Sequence, residues 1–242
     1  MVVHLFEALI VAHIITGTVG LLCVWVPILG RKGSRLHKLW GKVFAYSMLI
    51  TGSIAIGISL CTLHSPLETH LFSDDAAMIR GVFGWMMLYL ATMTIMLAWY
   101  GLLCIRNRQS HARNRNPVNL TLQLLTFIAA ANCAYQGILL KNGLMIGIST
   151  VGLTAAVLNT HFIFRESPPF NEWLIQHSRG LVGAGISVYT AFLAFGAVNL
   201  LPKYALNPVL WATPTTLGVA YLLYHQAKIT SQRRRLEARQ GA

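Results

Sequence analysis

The chain has 242 residues, of which 55% are hydrophobic and 11% charged, with a mean hydropathy of +0.57 and a formal net charge of +12. Soluble globular domains carry roughly 25% charged residues, so this composition excludes an ordinary soluble domain and points to an integral membrane protein. The basic residues sit in short clusters between apolar runs, where they act as topology signals and contacts for anionic lipid; no groove-binding face is formed, and nucleic acid is excluded as a partner.

A spanning helix needs roughly 20 mostly apolar residues, and seven runs qualify: 3–29, 38–63, 80–105, 118–140, 143–164, 180–201 and 207–227. The expected fold is therefore all-α, a polytopic bundle of seven transmembrane helices over 1–227 with a basic cytoplasmic tail over 228–242. The N-terminus, Met1-Val2-Val3-His4, has no basic n-region of the kind that precedes a cleaved signal peptide, so the first run is expected to remain as a spanning helix. Cys23, Cys61, Cys104 and Cys133 lie singly inside apolar runs and behave as small hydrophobes, with neither disulfide nor zinc spacing.

Between the first two runs lies Gly30-Arg31-Lys32-Gly33-Ser34-Arg35-Leu36-His37-Lys38-Leu39-Trp40-Gly41-Lys42, a strongly basic turn. If the first helix runs from outside to inside, the inner face collects this turn, the connections at 106–115 and 165–179, and the tail from 228. Of the 19 Lys and Arg residues only Arg80, Lys141 and Lys203 are left outside, so the N-terminus is expected outside and the C-terminus in the cytoplasm. Thr18-Val19-Gly20-Leu21 and Thr150-Val151-Gly152-Leu153 match in runs of the same direction, which suggests a 3+1+3 parallel repeat pairing His37 with His177.

Ionisable groups inside a bilayer are costly and mark functional candidates. His13 shares a helix face with Gly17 and Gly20 and should point into the bundle, either as a hydrogen-bonding bridge between helices or as a haem, metal or proton-relay group. His37, His161, His177 and His225 should lie at one depth near the inner face. Haem iron in membrane cytochromes is held between axial ligands on different helices. His37 and His177 are accordingly the expected ligands of a b-type haem, with His13 as an alternative ligand and Arg31, Lys32 and Arg35 neutralising its propionates. The same four histidines, His37, His161, His177 and His225, could instead bind a divalent metal. No His-Glu-x-x-His, phosphate-cradling loop or Gly-x-Ser-x-Gly elbow is present. Gln123, Asn132, Gln136, Asn159 and Asn199 serve either as interhelical hydrogen bonds or as the lining of a small-molecule path.

His13 with Gly17, the turn Arg31 to His37 followed by Gly41, Trp173-Leu174-Ile175-Gln176-His177 leading to Thr190-Ala191-Phe192, and Pro214-Thr215 with Gly218 together resemble the bacterial predicted membrane proteins grouped as domain of unknown function 2306. The likeness spans most of the chain and departs at Ser178-Arg179-Gly180, where the family carries an Arg-Met pair. It implies a multi-pass protein of the bacterial inner membrane and singles out His13, His37 and His177, but it lends no mechanism. Three functions stay open at this point: electron transfer through haem, a non-catalytic subunit or assembly factor of a membrane complex, and a small-molecule transporter. The partners expected are the bilayer, anionic lipid at the inner loops, and other membrane chains or further copies of this one.

Overall fold

The computed structural model describes residues 2–196 and 208–240, and these are all-helical. In chain order the helices are α1 (Val2–Cys23), α2 (Trp25–Leu29), α3 (Arg35–His64), α4 (Pro66–Thr69), α5 (Ala76–Ile79), α6 (Met87–Arg106), α7 (Pro117–Leu139), α8 (Gly143–Phe164), α9 (Glu172–Ala191) and α10 (Pro208–Gln240). A π-helical segment, Arg80–Met86, runs into α6; a second, Phe192–Gly196, follows α9; and a 3-10 turn, His111–Arg115, precedes α7.

Five stretches are long and apolar enough to cross a bilayer: Val2–Leu29, Arg35–His64, Ala76–Arg106, Pro117–Leu139 and Gly143–Phe164. The sixth and seventh expected runs also fall on helices, but neither described helix reaches that class. The sixth begins earlier than hydropathy indicates, at Glu172 instead of 180, because its first two turns are polar while still burying Ile175 and Gln176. Asn199 and Lys203 lie outside the described residues. Through residues 228–240 of the basic tail, α10 continues without interruption from Pro208.

Among the described spanning stretches, the one that contains α6, Ala76–Arg106, is the most buried. Buried residues make up 67% of its spanning window, against 22–39% in the other four, which places it at the centre. It packs against α3, α9 and α7; α1 lies along α3, α8 along α7, and α10 along α9. The buried core around it includes Phe44, Met48, Met86, Tyr89, Met96 and Ala184.

Small residues decide where helices meet. A Cβ on Gly20 would run into the Met48 side chain, and one on Gly52 would lie 2.6 Å from Ile95 Cγ1. At Gly180 it would lie 2.7 Å from the Gly101 backbone, so α6 and α9 cross almost in backbone contact. Polar groups join the same interfaces. Thr94 Oγ1 and Ser187 Oγ are 2.7 Å apart, and Tyr89 Oη donates to Ile148 O at 2.8 Å and accepts from Gly152 N at 3.0 Å. Asn159 Nδ2 donates to Gln123 Oε1 at 3.4 Å and to Met96 Sδ at 3.3 Å. Bonds of this kind contribute roughly 0.6–2 kcal/mol each in membranes.

The two halves proposed as a repeat are not packed alike. α1 lies along α3, whereas α8, its counterpart, lies along α7 and not along α9. The two matching tetrapeptides are small-residue contact faces that meet different neighbours: Gly20 meets Met48 on α3, and Gly152 meets Tyr89 on α6.

Candidate functional site

The turn after α2 is built by three local devices. Gly33 takes a left-handed φ of +78°, which a residue with a Cβ rarely adopts. Ser34 then caps α3, its hydroxyl accepting the His37 amide at 3.2 Å. Lys32 Nζ donates to the terminal α2 carbonyls of Pro27 at 2.7 Å and Ile28 at 2.6 Å, and to Tyr221 Oη at 3.0 Å. His37 is thereby fixed in the first turn of α3, with its Nδ1 3.2 Å from Pro27 O.

On the other side of the bundle end, α9 starts after Pro168-Pro169 and Asn171, whose φ is +64°. The Gly101–Gly180 crossing brings α9 close enough for His177 Nδ1 to reach Gly101 O at 2.8 Å, and Tyr100 Oη donates to Gln176 Oε1 at 3.0 Å beside it. A carbonyl oxygen only accepts, so Nδ1 carries the proton in both His37 and His177, and each neutral ring keeps its Nε2 lone pair for a ligand. Metal-ligating imidazoles usually donate their other ring N–H to a backbone carbonyl or carboxylate in this way.

Both rings line one cavity of about 520 Å³. Cofactor and small-molecule sites typically run to about 300–1,000 Å³. Its inner wall is apolar, with Val24, Ile28, Phe44, Leu102, Leu181 and Ile229. Lys32, Lys38, Lys42, Arg108 and Lys228 also line it, and none of its lining residues is acidic. Trp173 and Tyr221 complete the rim: the Arg108 guanidinium carbon stands 6.0 Å from the Trp173 ring, and the Lys32 ammonium 5.7 Å from that of Tyr221. His225 lines the cavity from α10, its ring 4.3 Å from that of Tyr221 and 5.4 Å from that of Tyr224.

Of the site residues expected from sequence, His37, His177, His225 and Lys32 are brought together here. Arg31 and Arg35 are exposed and do not line the cavity, since Arg35 lies about 200° round α3 from His37. His161 is absent from the lining as well: it is exposed on α8, a helix that packs along α7 and whose end is held by Arg115, which donates to Ile163 O at 3.2 Å and Phe164 O at 3.1 Å. The four-histidine metal set is therefore not assembled, and among the described residues no group of three or more His, Cys, Asp or Glu is placed to hold a metal ion. His13 is a structural bridge, its Nδ1 3.3 Å from Thr51 O on α3.

Sequence reasoning missed Lys38, Lys42, Arg108 and Lys228 as cavity residues, along with the aromatic rim. A signal was present. On α10 the lining residues Tyr221, His225, Lys228, Ile229 and Gln232 follow the helical period from His225, and on α9 Trp173, His177 and Leu181 are four apart. Comparison of the chain with family models, with curated proteins and with solved structures gives no match.

Proposed function

We propose that the chain is a seven-span protein of the bacterial inner membrane, N-terminus outside and C-terminus in the cytoplasm, that holds a b-type haem between His37 and His177 and takes part in electron transfer. The observation that carries this reading is the pair of imidazoles on separate helices, each with Nδ1 held by a backbone carbonyl, lining one cavity of about 520 Å³. The donor set fits the group: two neutral nitrogen ligands, an apolar wall for the macrocycle, and a cationic rim for two propionates. When bound, the haem supplies one-electron redox chemistry.

The chain's own residues supply the rest. His37 and His177 would hold the cofactor through Nε2, with Pro27 O and Gly101 O restraining the two rings from the Nδ1 side. Of the expected Arg31, Lys32 and Arg35, Lys32 lines the cavity, and with Lys38, Lys42, Arg108 and Lys228 it would offset the carboxylate charge. The apolar wall excludes water and lowers the local dielectric, which strengthens those ion pairs. The sidedness rests on the basic clusters at the cavity end.

The transporter reading needs a mid-membrane cavity lined by His13, Asn132 and Asn159, and two of these are engaged in interhelical bonds to Thr51, Gln123 and Met96. The test of the haem reading is an absorption spectrum of protein expressed with excess haem and gently solubilised. A Soret band is expected, lost in His37→Ala and in His177→Ala and kept in His13→Ala. Colourless wild-type protein sinks the proposal.

A further inference from the structure

We infer that the inner end of α10 is a docking arm for an acidic soluble electron carrier. The inference rests on the haem reading above for the partner's redox character and on the unbroken course of α10 for its shape. From Lys228 onward the helix adds thirteen residues, about 20 Å at a rise of about 1.5 Å per residue. This part carries Lys228, Arg233, Arg234, Arg235 and Arg239 against one acid, Glu237. The same helix forms one wall of the cavity through Tyr221, His225 and Lys228, so a partner seated on the arm sits beside the cavity mouth.

Two observations favour a soluble partner over lipid headgroups. A tail that lies on the leaflet must turn at the membrane surface, and α10 has no break there; its internal proline, Pro214, comes fourteen residues before Lys228. A surface-lying helix also needs a broad apolar face. Between Ser231 and Gln240 the only apolar residues are Leu236 and Ala238, so this stretch is polar all round. Charges carried more than about 8 Å from the leaflet are screened from its headgroups at physiological salt, yet they still steer an oppositely charged protein from solution.

The rest of the cavity end has the same sign. Lys32, Lys38, Lys42 and Arg108 line the cavity; of the acids near this end, Glu172 is bound to Arg165 at 3.1 Å and Glu166 is exposed on the loop before α9, outside the lining. A carrier with an acidic patch around its cofactor would therefore meet a cavity lining whose charged residues are all basic.

The test uses the full chain in nanodiscs of phosphatidylcholine and an acidic flavodoxin as probe, with association followed by biolayer interferometry at low and high salt. Wild type is expected to bind at low salt and to lose binding as salt rises, and R233E/R234E/R235E to bind roughly ten-fold more weakly. R233Q/R234Q/R235Q, which leaves the other inner basic residues to hold the topology, is expected to fall between them. No binding by wild type, or equal binding by all three proteins, overturns the inference. So does tryptic protection of the Arg233–Arg235 stretch by phosphatidylglycerol nanodiscs but not by flavodoxin, which makes lipid the occupant. A missing Soret band with flavodoxin binding intact removes the haem reading and the redox character of the partner, and leaves an acidic-protein dock.

Discussion

The middle of the bundle and its cavity end use the same residue types to opposite effect. In the middle, small residues face their neighbours, as Gly20 does Met48, Gly52 does Ile95 and Gly152 does Tyr89. The helices close there, and the polar groups are consumed in bonds such as His13 Nδ1 with Thr51 O and Thr94 with Ser187. At the cavity end, long or ring-bearing side chains line a shared space, including Lys32, Lys42, His37, His177, Trp173 and Tyr221. The helices cannot close over them, and a cavity of about 520 Å³ results. A histidine in the first zone is mortar between helices, whereas one in the second keeps a ring nitrogen for something else.

The sharpest break of this contrast is at the hinge between the zones. Gly180→Leu would drive a side chain into the Gly101 backbone, 2.7 Å from where its Cβ must sit, and backbone cannot move aside as a flexible side chain can. Overpacking of this kind costs roughly 1–3 kcal/mol, occasionally more, and the His177–Gly101 bond goes with the crossing. Both the melting temperature in detergent and haem retention are expected to fall. Gly147→Leu on α8, where no atom lies within 4 Å of a built Cβ, is the control, and its melting temperature should match or slightly exceed wild type.

A smaller effect separates the histidines. His13→Ala is expected to cost roughly 0.6–2 kcal/mol, the range for an interhelical membrane bond, with the absorption spectrum unchanged. His37→Ala should do the reverse, with little change in melting of the haem-free protein and loss of the spectrum. Removing the Thr94–Ser187 bond in Thr94→Val should cost roughly 0.6 kcal/mol, the average for such pairs, and a double-mutant cycle with Ser187→Ala measures it.

The smallest effect lies at the end of the bundle away from the cavity, where His70 packs against Phe6, Phe72 and Phe83 with ring centroids 5.4, 5.7 and 4.7 Å away. Burial lowers its pKa below the ordinary 6.5. A histidine whose folded pKa is depressed binds its proton more readily when unfolded, so its contribution to stability is intact above about pH 6.5 and declines as the pH falls towards the folded value. Hydrogen exchange of the loop from 65 to 75 should speed up modestly between pH 7 and pH 5, and His70→Phe should flatten that dependence. A loop whose exchange follows only the intrinsic pH trend would show that the imidazole packs equally well in either charge state.

Much of this molecule is written in local pattern. Apolar runs of spanning length mark the helices because a bilayer leaves the backbone few other ways to satisfy its polar groups, and the basic turn from 31 to 42 announces an end of the bundle by composition alone. The face shared by His13, Gly17 and Gly20 correctly predicts that this histidine points at a neighbouring helix. His37 and His177 could be named from depth because depth along a helix is a count of residues. Which histidines meet is a different kind of fact. His161 lies at the expected end yet drops out, since α8 packs along α7. Lys38, Lys42, Arg108 and Lys228 come into the site from three separate parts of the chain. Those outcomes depend on the order in which helices surround α6, and that order is set by contacts such as Gly101 with Gly180, residues far apart in the chain whose complementarity no local period or hydropathy sum records.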